Sequence, residues 1–561
     1  MHKLLITFCR HPWIVLTVLL IVSLLSATQL DKVKVQISAE DLLVQNDPER
    51  DYYDQIIEAF GEEKVILLYL SDEQLLETSK LKALKIAIDK IEALDFVKRT
   101  ESLFTVPYIR TIEGYLNKDP YLTNIPENAE ESKKLLDAAL GNPFIKKTLL
   151  STDGSVMAVA IILKSDLSSF SDIEITDSLE VVTEELKTSY QDAFTIGFQH
   201  VRTEVASQIR SEQSRLLPLA VAALLIALFI MLRQLVDVLI PVMTAGISIL
   251  WTLGVMGFLD IPLNVVTSMV PILLIIVGST EDIHLLAEFR RGQHDGMDTI
   301  RAIRKMAEKM GGIVSLTFVT TFLGFLSITL SQIEVLWQFG VLSAMALLLN
   351  FIITISLIPA LLRVTGNWKL DGKSSFLHAP DVEPEKARAF FIFLRRYRWH
   401  IGAIVIASSV YAFYGIFNIK VNHNPIDSLS AESEVHHQFD KVNSHLSGLE
   451  SMSLVIDSGI QDTFLKVRYL EEARHIQQFI NQQAGIQSTT SFADYLSLLN
   501  SAFQEIEEIE MPDTDEIVNE LMIFLKYEHV ENYVSEDYSR IRILVRHNIS
   551  STFELNQVVS Q

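Results

Sequence analysis

Seven apolar stretches, roughly 12–30, 215–233, 235–258, 263–288, 311–331, 335–362 and 398–418, limit what this chain can fold into. Each is close to the ~20 residues an α-helix needs to cross the hydrocarbon core of a bilayer. No water reaches that core, so a spanning backbone must satisfy its own polar groups, and such stretches fold as helices. They take up only part of the 561 residues, because one long polar region separates the first from the second and another follows the seventh. The composition fits this division. At 49% hydrophobic, 21% charged and a mean hydropathy of +0.27, it lies between a soluble protein and a chain of membrane helices alone.

The basic residues orient the spans. The connection at 289–310 holds Arg290, Arg291, Arg301, Arg304, Lys305 and Lys309, and the segment after the sixth span holds Arg363, Lys369, Lys373, Lys386, Arg388, Arg395, Arg396 and Arg398. Arg233 and the amino-terminal Lys3 and Arg10 fall on the same side, whereas the alternate turns, 259–262 and 331–334, contain neither Lys nor Arg. Lys and Arg concentrate in cytoplasmic loops, so this pattern predicts a cytoplasmic amino terminus and two polar domains on the outer face. The net charge of −23 argues against nucleic acid as a partner. Acidic runs at 127–132 and 505–516 read as solvated faces and loops. A single cysteine, Cys9, excludes an internal disulfide framework and a cysteine-based zinc site.

The chain also repeats itself. Arg10-His-Pro-Trp13 matches Arg396-Tyr-Arg-Trp399 at an offset of 399 − 13 = 386, and Val33-Lys34-Val35 meets Ile419-Lys420-Val421 at the same offset. Asp41-Leu42-Leu43 then meets Asp427-Ser428-Leu429, and Val97 and Ser102 match Ile486 and Ser491 at an offset of 389. The second copy opens with a basic flank and an apolar helix, so the first apolar run is expected to be a retained helix and not a cleaved signal. By the same register Gln561 corresponds to about position 172 to 175 of the first copy (561 − 389 and 561 − 386), inside the polar domain. The expectation is a fragment or a split gene, with a second membrane bundle missing.

Within the first polar domain, 64–70, 156–163 and 192–198 read as strands, and 72–94 and 170–190 as helices. Helices alternating with strands of one sheet suggest a compact α+β sandwich of ferredoxin-like type. The expected organisation is a first transmembrane helix at 1–30, an outer α+β domain at 31–212 and a five-helix bundle at 213–363. A cytoplasmic linker at 364–397, a seventh helix at 398–418 and a second, truncated outer domain at 419–561 complete it.

One helix, an outer domain, five helices, one helix and another outer domain is an order that resembles the resistance-nodulation-division (RND) superfamily. The likeness is to its lipid-handling branch, with MMPL and sterol-sensing-domain-like bundles. Local motifs carry the resemblance further. Thr320-Thr321-Phe322-Leu323-Gly324-Phe325-Leu326-Ser327, followed by Phe339-Gly340 and Pro359-Ala360-Leu361-Leu362, looks like that branch's fifth and sixth helices. Val277-Gly278-Ser279-Thr280-Glu281-Asp282-Ile283-His284-Leu285 resembles its fourth-helix motif, with Thr280-Glu281-Asp282 where many members carry Asp-Tyr or Asp-Asp. The resemblance implies a proton-driven exporter of hydrophobic or lipid-like molecules in a bacterial inner membrane, with its outer domains in the periplasm. It implies no enzymatic activity and no cofactor.

The residues point to the same helix unaided. An ionisable group inside a span is costly and by default a functional candidate. Glu281 lies roughly 25 Å along the fourth span at 1.5 Å per residue. Glu281, His284 and Glu288 are spaced i, i+3, i+7 and share a face, while Asp282 points about 100° away. Such a stripe is expected to face the bundle interior as a proton or cation relay. Two other readings stand beside it. The acids can pair with Arg290 and Arg291 near the interface, or Glu281-x-x-His284 can form half of a bundle metal site, although no second such motif occurs in the spans. Thr317, Thr320, Thr321 and Ser327 on the fifth span either support the cluster or bond their own helix backbone. Gly311-Gly312 and Gly324 are read as permitting close helix packing.

Gly366 to Gly372-Lys373-Ser374 imitates a phosphate-binding loop, but its glycines are six apart and no strand precedes it. No hydrolytic motif is present. The reading is therefore secondary active export, with membrane lipids or a hydrophobic molecule as substrate and with room for a periplasmic or membrane partner subunit. A lipid-sensing scaffold built on the five-helix bundle is the alternative, and a Sec-associated translocation accessory is disfavoured by the tandem outer domains.

Overall fold

The computed structural model describes residues 2–33, 48–61, 64–112, 115–167, 170–232, 235–264, 266–365, 384–417, 419, 426, 429–506 and 508–560. The repeat matches at Lys34-Val35, Asp41–Leu43 and Lys420-Val421, together with Arg233 and the Gly366–Ser374 segment, lie outside these residues. In chain order the first half holds α1 (His2–Arg10), α2 (Pro12–Ala27), α3 (Pro48–Phe60), β1 (Val65–Ser71), α4 (Thr78–Glu92), β2 (Val97–Glu101), β3 (Arg110–Ile112), β4 (Tyr115–Asn117), α5 (Ala129–Leu140), β5 (Val156–Leu163), α6 (Asp172–Leu186) and β6 (Asp192–Gly197). Then come α7 (Phe198–Leu232), α8 (Leu235–Phe258), α9 (Val270–His294), α10 (Thr299–Ile328), α11 (Glu334–Thr365) and α12 (Pro384–Ile416). The last part holds α13 (Glu434–His445), β7 (Glu450–Asp457), α14 (Val467–Asn481), β8 (Ile486–Thr490), α15 (Phe492–Gln504), α16 (Asp515–Phe524), β9 (Arg540–His547) and α17 (Thr552–Val559). The chain divides into two units, Met1–Asn46 with Ala206–Ile419, and Asp47–Val205 with Lys420–Gln561.

The first unit is a helical membrane bundle. Among the described residues seven helices are long and apolar enough to cross a membrane: α2 with the turn that follows it, and α7 to α12. The helices outrun their apolar stretches. The basic connection expected at 289–310 is mostly helical, because α9 continues to His294 and the Asp298 side chain caps α10 by accepting from the Arg301 backbone N–H. The Lys and Arg residues of that connection therefore sit on helix turns, at fixed positions where they can reach acids. α9 packs between α8, α10 and α11, and its ridge Leu274, Gly278, Asp282, Leu285 and Phe289 is buried throughout. Those positions are spaced four, four, three and four, which keeps them on one face of a helix.

Glycine permits close approach at Gly254, but not at Gly312 or Gly324. A Cβ on Gly254 of α8 would stand 2.6 Å from Ser26 Cβ of α2, while one on Gly312 or Gly324 would meet nothing within 4 Å. The α2–α8 seam is also held by Trp251 Nε1, which donates to Ser23 Oγ at 2.9 Å.

The second unit holds two related sheets. In the first, the strand order is β2-β5-β1-β6 with every neighbour antiparallel, and α4 and α6 pack together and on its strands. β5 is central and buried at every position, as its run Val-Met-Ala-Val-Ala-Ile-Ile-Leu requires. The second sheet runs β7-β9-β8, again antiparallel. β2 and β8 share the offset 486 − 97 = 389, and β1-β5-β2 and β7-β9-β8 are the same order. A matching turn precedes each inner strand. Asp153 Oδ1 accepts from the Ser151 hydroxyl and from the Ser155 hydroxyl and N–H, and Asp537 Oδ1 accepts in the same way from Ser535 and Ser539, at an offset of 537 − 153 = 384. The residue after each aspartate, Gly154 and Tyr538, has a positive φ (71° and 52°) that this turn demands.

Candidate functional site

Among the described residues, four carboxylates are buried in the bundle around α8 and α9: Asp237, Glu281, Asp282 and Glu288. An ionised carboxylate away from water needs a cation or several hydrogen bonds, and the four differ in what they receive. Asp237, in the first turn of α8, is gripped by Arg290 of α9, whose Nε donates to Oδ2 at 2.6 Å and whose second guanidinium nitrogen reaches Oδ1 at 2.5 Å. Glu288 accepts from Lys309 Nζ of α10 at 3.1 and 3.0 Å and from Arg291 at 3.1 Å. These two acids are compensated.

Asp282 is not. It has no exposed surface, and its partners are hydroxyls: Thr354 Oγ1 of α11 donates to Oδ1 at 2.8 Å, and Thr244 Oγ1 of α8 donates to Oδ2. Beside it Glu281 is buried, and its Oε2 has no hydrogen-bond partner. Among the described residues neither acid forms an ion pair, so two adjacent carboxyl groups lie in the bundle with no cation between them.

A polar seam surrounds Asp282. Thr244, Ser248 and Thr252 recur every four residues on α8, and Asn350 and Thr354 do so on α11, all buried. Ser248 Oγ lies 2.9 Å from Asn350 Oδ1 and 2.7 Å from the Thr244 carbonyl, and donates its one proton between them. Asn350 occupies the space that Gly278 leaves open, so a Cβ on Gly278 would fall 2.7 Å from Asn350 Oδ1. Gly278 thus admits an amide one turn from the acid.

The profile of the MMPL family matches residues 43–406, well over half of the chain and all of α8 to α11. The chain belongs to the MMPL family. It is 23% identical over 365 residues to the putative membrane protein MJ1562 of Methanocaldococcus jannaschii, a match covering 63% of this chain and 90% of that protein. It is 22% identical over 268 residues to the probable transport protein MmpL10 of Mycobacterium leprae and 25% identical over 148 residues to MmpL12 of Mycobacterium tuberculosis. Those two matches cover 45% and 26% of this chain, but only 27% and 13% of the mycobacterial proteins. The RND/MMPL resemblance drawn from the order of helices and outer domains holds.

In this MMPL chain the predicted site residues separate. Glu281 and Asp282 come together, Glu288 is held in its own cluster of basic groups, and His284 is exposed. The inward stripe expected at 281, 284 and 288 is corrected accordingly. α9 is buried over a wide arc centred near Asp282, and His284 sits about 200° from that position. The Glu281–His284 metal reading loses its geometry for the same reason, and among the described residues no three of His, Cys, Asp and Glu converge.

Thr317, Thr320 and Thr321 do not reach the acids either. The hydroxyls of Thr320 and Thr321 bond the carbonyls of Leu316 and Thr317 on their own helix, and Thr317 and Thr320 are exposed. The residues that do support Asp282, Thr244 and Thr354, had a sequence signal in the four-residue recurrence of small polar residues along otherwise apolar spans. Asp237 was visible as the lone acid in the first turn of the third span.

Proposed function

We propose that this MMPL protein is an RND-type secondary transporter of a bacterial inner membrane, exporting a hydrophobic or lipid-like molecule with proton uptake and release at Asp282 and Glu281. The observation that carries the reading is the contrast among four buried acids: two have cations and two have none. An unpaired ionised carboxylate in this setting costs several kcal/mol. Such groups stay neutral in one state and ionise when the helices move or water enters, which is the property a proton-coupled carrier requires. Glu288 and Asp237 are excluded from that role by their fixed counter-charges. The basic residues at one end of the bundle support a cytoplasmic placement of that end, with the outer domains in the periplasm. The antiparallel order β2-β5-β1-β6, with helices joining β1 to β2 and β5 to β6, supports a ferredoxin-like fold for the first outer domain, and β7-β9-β8 supports the same for the second.

The test is efflux of the lipophilic dye Nile red from cells expressing the full-length protein, with and without a collapsed proton gradient. Asp282→Asn and Glu281→Gln are expected to reduce gradient-driven efflux to the level of cells lacking the protein, at unchanged membrane abundance. Efflux at the normal rate in both variants would remove the proton relay.

A further inference from the structure

The surroundings of Asp282 on α8 hold a second observation. Thr244 Oγ1 has one proton and two acceptors in reach, Asp282 Oδ2 and the carbonyl oxygen of Pro241 at 2.8 Å. It satisfies one at a time. Pro241 sits inside α8 and has no N–H, so the helix bond to the carbonyl of residue 237 is missing. That break lies between two anchors of α8 on α9, the Thr244–Asp282 contact and the bidentate Asp237–Arg290 pair. A helix with a missing bond between two fixed points is the place where a bend is absorbed.

We propose that Thr244 is the positioning residue that couples the proton on Asp282 to bending of α8 at Pro241. This rests on the proton-coupled reading above and assigns it a moving element. With Asp282 ionised, the Thr244 hydroxyl donates to Oδ2. When a proton arrives on Oδ2, that O–H donates to Thr244 Oγ1, and the Thr244 proton turns to the Pro241 carbonyl. The threonine thereby exchanges an interhelical bond donor role for a bond within α8, next to the break. Thr354 has no such second acceptor among its bonds and holds Oδ1 in both states.

The charged and titratable groups on the packed elements are few. α9 itself carries Glu281, His284, Glu288, Arg290, Arg291 and His294; α8 carries Asp237. α10 contributes Arg301, Arg304, Lys305, Glu308 and Lys309, all in its first three turns, and α11 has only Glu334 and Arg363 near its ends. None of these is hydrogen-bonded to Asp282 among the described residues, so the hydroxyl pair is what senses its proton.

The experiment reads movement without a substrate. Nitroxide labels at Leu239→Cys on α8 and Ile276→Cys on α9, both exposed, are placed on the full-length protein carrying Cys9→Ala and reconstituted in lipid. Electron spin distance measurements then follow a pH titration. The unsubstituted background is expected to shift between two distance populations as pH falls. Thr244→Val is expected to lose the shift and Thr244→Ser to keep it. Pro241→Ala, which restores the helix bond and does not depend on the threonine, is expected to lose the shift as well. Asp282→Asn is expected to hold the low-pH population throughout. A full shift in Thr244→Val or Pro241→Ala, or no shift in the background, overturns the coupling. If Asp282→Asn keeps a full shift, the proton reading of that acid fails; if it loses the shift while Thr244→Val keeps it, only the coupling fails.

Discussion

Removing Arg290 should leave one of the most costly defects available to a single substitution in this bundle. The Asp237 side chain has no exposed surface and the Arg290 side chain is 14% exposed, so the pair is shielded from water and salt. Arg290→Ala strands the Asp237 carboxylate. Breaking a buried pair from one side costs about 3–5 kcal/mol, which is roughly 100-fold to several-thousand-fold in the folded-to-unfolded ratio at about 1.4 kcal/mol per tenfold. Protonation of the stranded acid draws the value toward the lower figure. The assay is denaturant unfolding in detergent micelles, run as a cycle with Asp237→Ala and the double variant. The double variant should be less destabilised than the two singles summed, because no charge is then left unpaired. Arg291→Ala is the internal control. Its side chain is 54% exposed, and Lys309 remains to serve Glu288, so its cost should stay under about 1 kcal/mol. An Arg290→Ala protein within about 0.5 kcal/mol of the parent, the range of ordinary surface changes, would refute the argument that this pair is buried and mutually dependent.

Three further outcomes are expected. Gly278→Ala should destabilise the bundle by about 1–3 kcal/mol through overpacking against Asn350, and Asn350→Ala in the same chain should recover part of that loss, measured in the same unfolding assay. Thr320→Val and Thr321→Val should leave gradient-driven Nile red efflux unchanged, since both hydroxyls serve their own helix; a loss like that of Asp282→Asn would contradict it. In the second unit the Ser151 hydroxyl, with the Ser155 N–H and hydroxyl, holds the Asp153 carboxyl down from 3.8 to about 2. A depressed value in the fold adds stability that is present above about pH 4 and is lost as pH falls through about 2. The protection factors for hydrogen exchange over residues 151–163 of the full-length protein, taken relative to the intrinsic rate at each pH, should therefore fall across that window, and Asp153→Asn should flatten their pH dependence.

Much of the architecture was legible because its determinants are local. Twenty apolar residues specify a spanning helix wherever they occur, and 64–70, 156–163 and 192–198 appear as β1, β5 and β6 because β-branched and aliphatic runs suit a sheet. The repeat at offset 389 reappears as β2 and β8 for the same reason. Element ends were less legible. The 289–310 connection reads as a loop by charge, yet the Asp298 cap and good helix formers such as Arg, Lys, Met and Ala carry α10 back to Thr299.

The site was half legible. That Glu281, Asp282, His284 and Glu288 lie on one polar stretch of a span follows from the sequence alone, since charge inside an apolar run is visible without a fold. The Glu288–Arg291 pair, three residues apart on α9, was within reach of the sequence. What Glu281 and Asp282 meet depends on what α8, α10 and α11 bring to each side of α9, and no spacing within α9 contains that. The periodicity of a single helix placed His284 with the acids; packing against three neighbours left it exposed and buried Asp282 instead. Arg290 finds Asp237 across 53 residues, Lys309 finds Glu288 across 21, and Thr244 and Thr354 meet at Asp282 from 38 and 72 residues away. The sequence by itself determined that ionisable groups would be carried into the membrane. Only the tertiary structure decided which would meet a cation from another helix and which would meet hydroxyls alone, because that part of the compensation of a buried charge is a contact between elements and not a property of one.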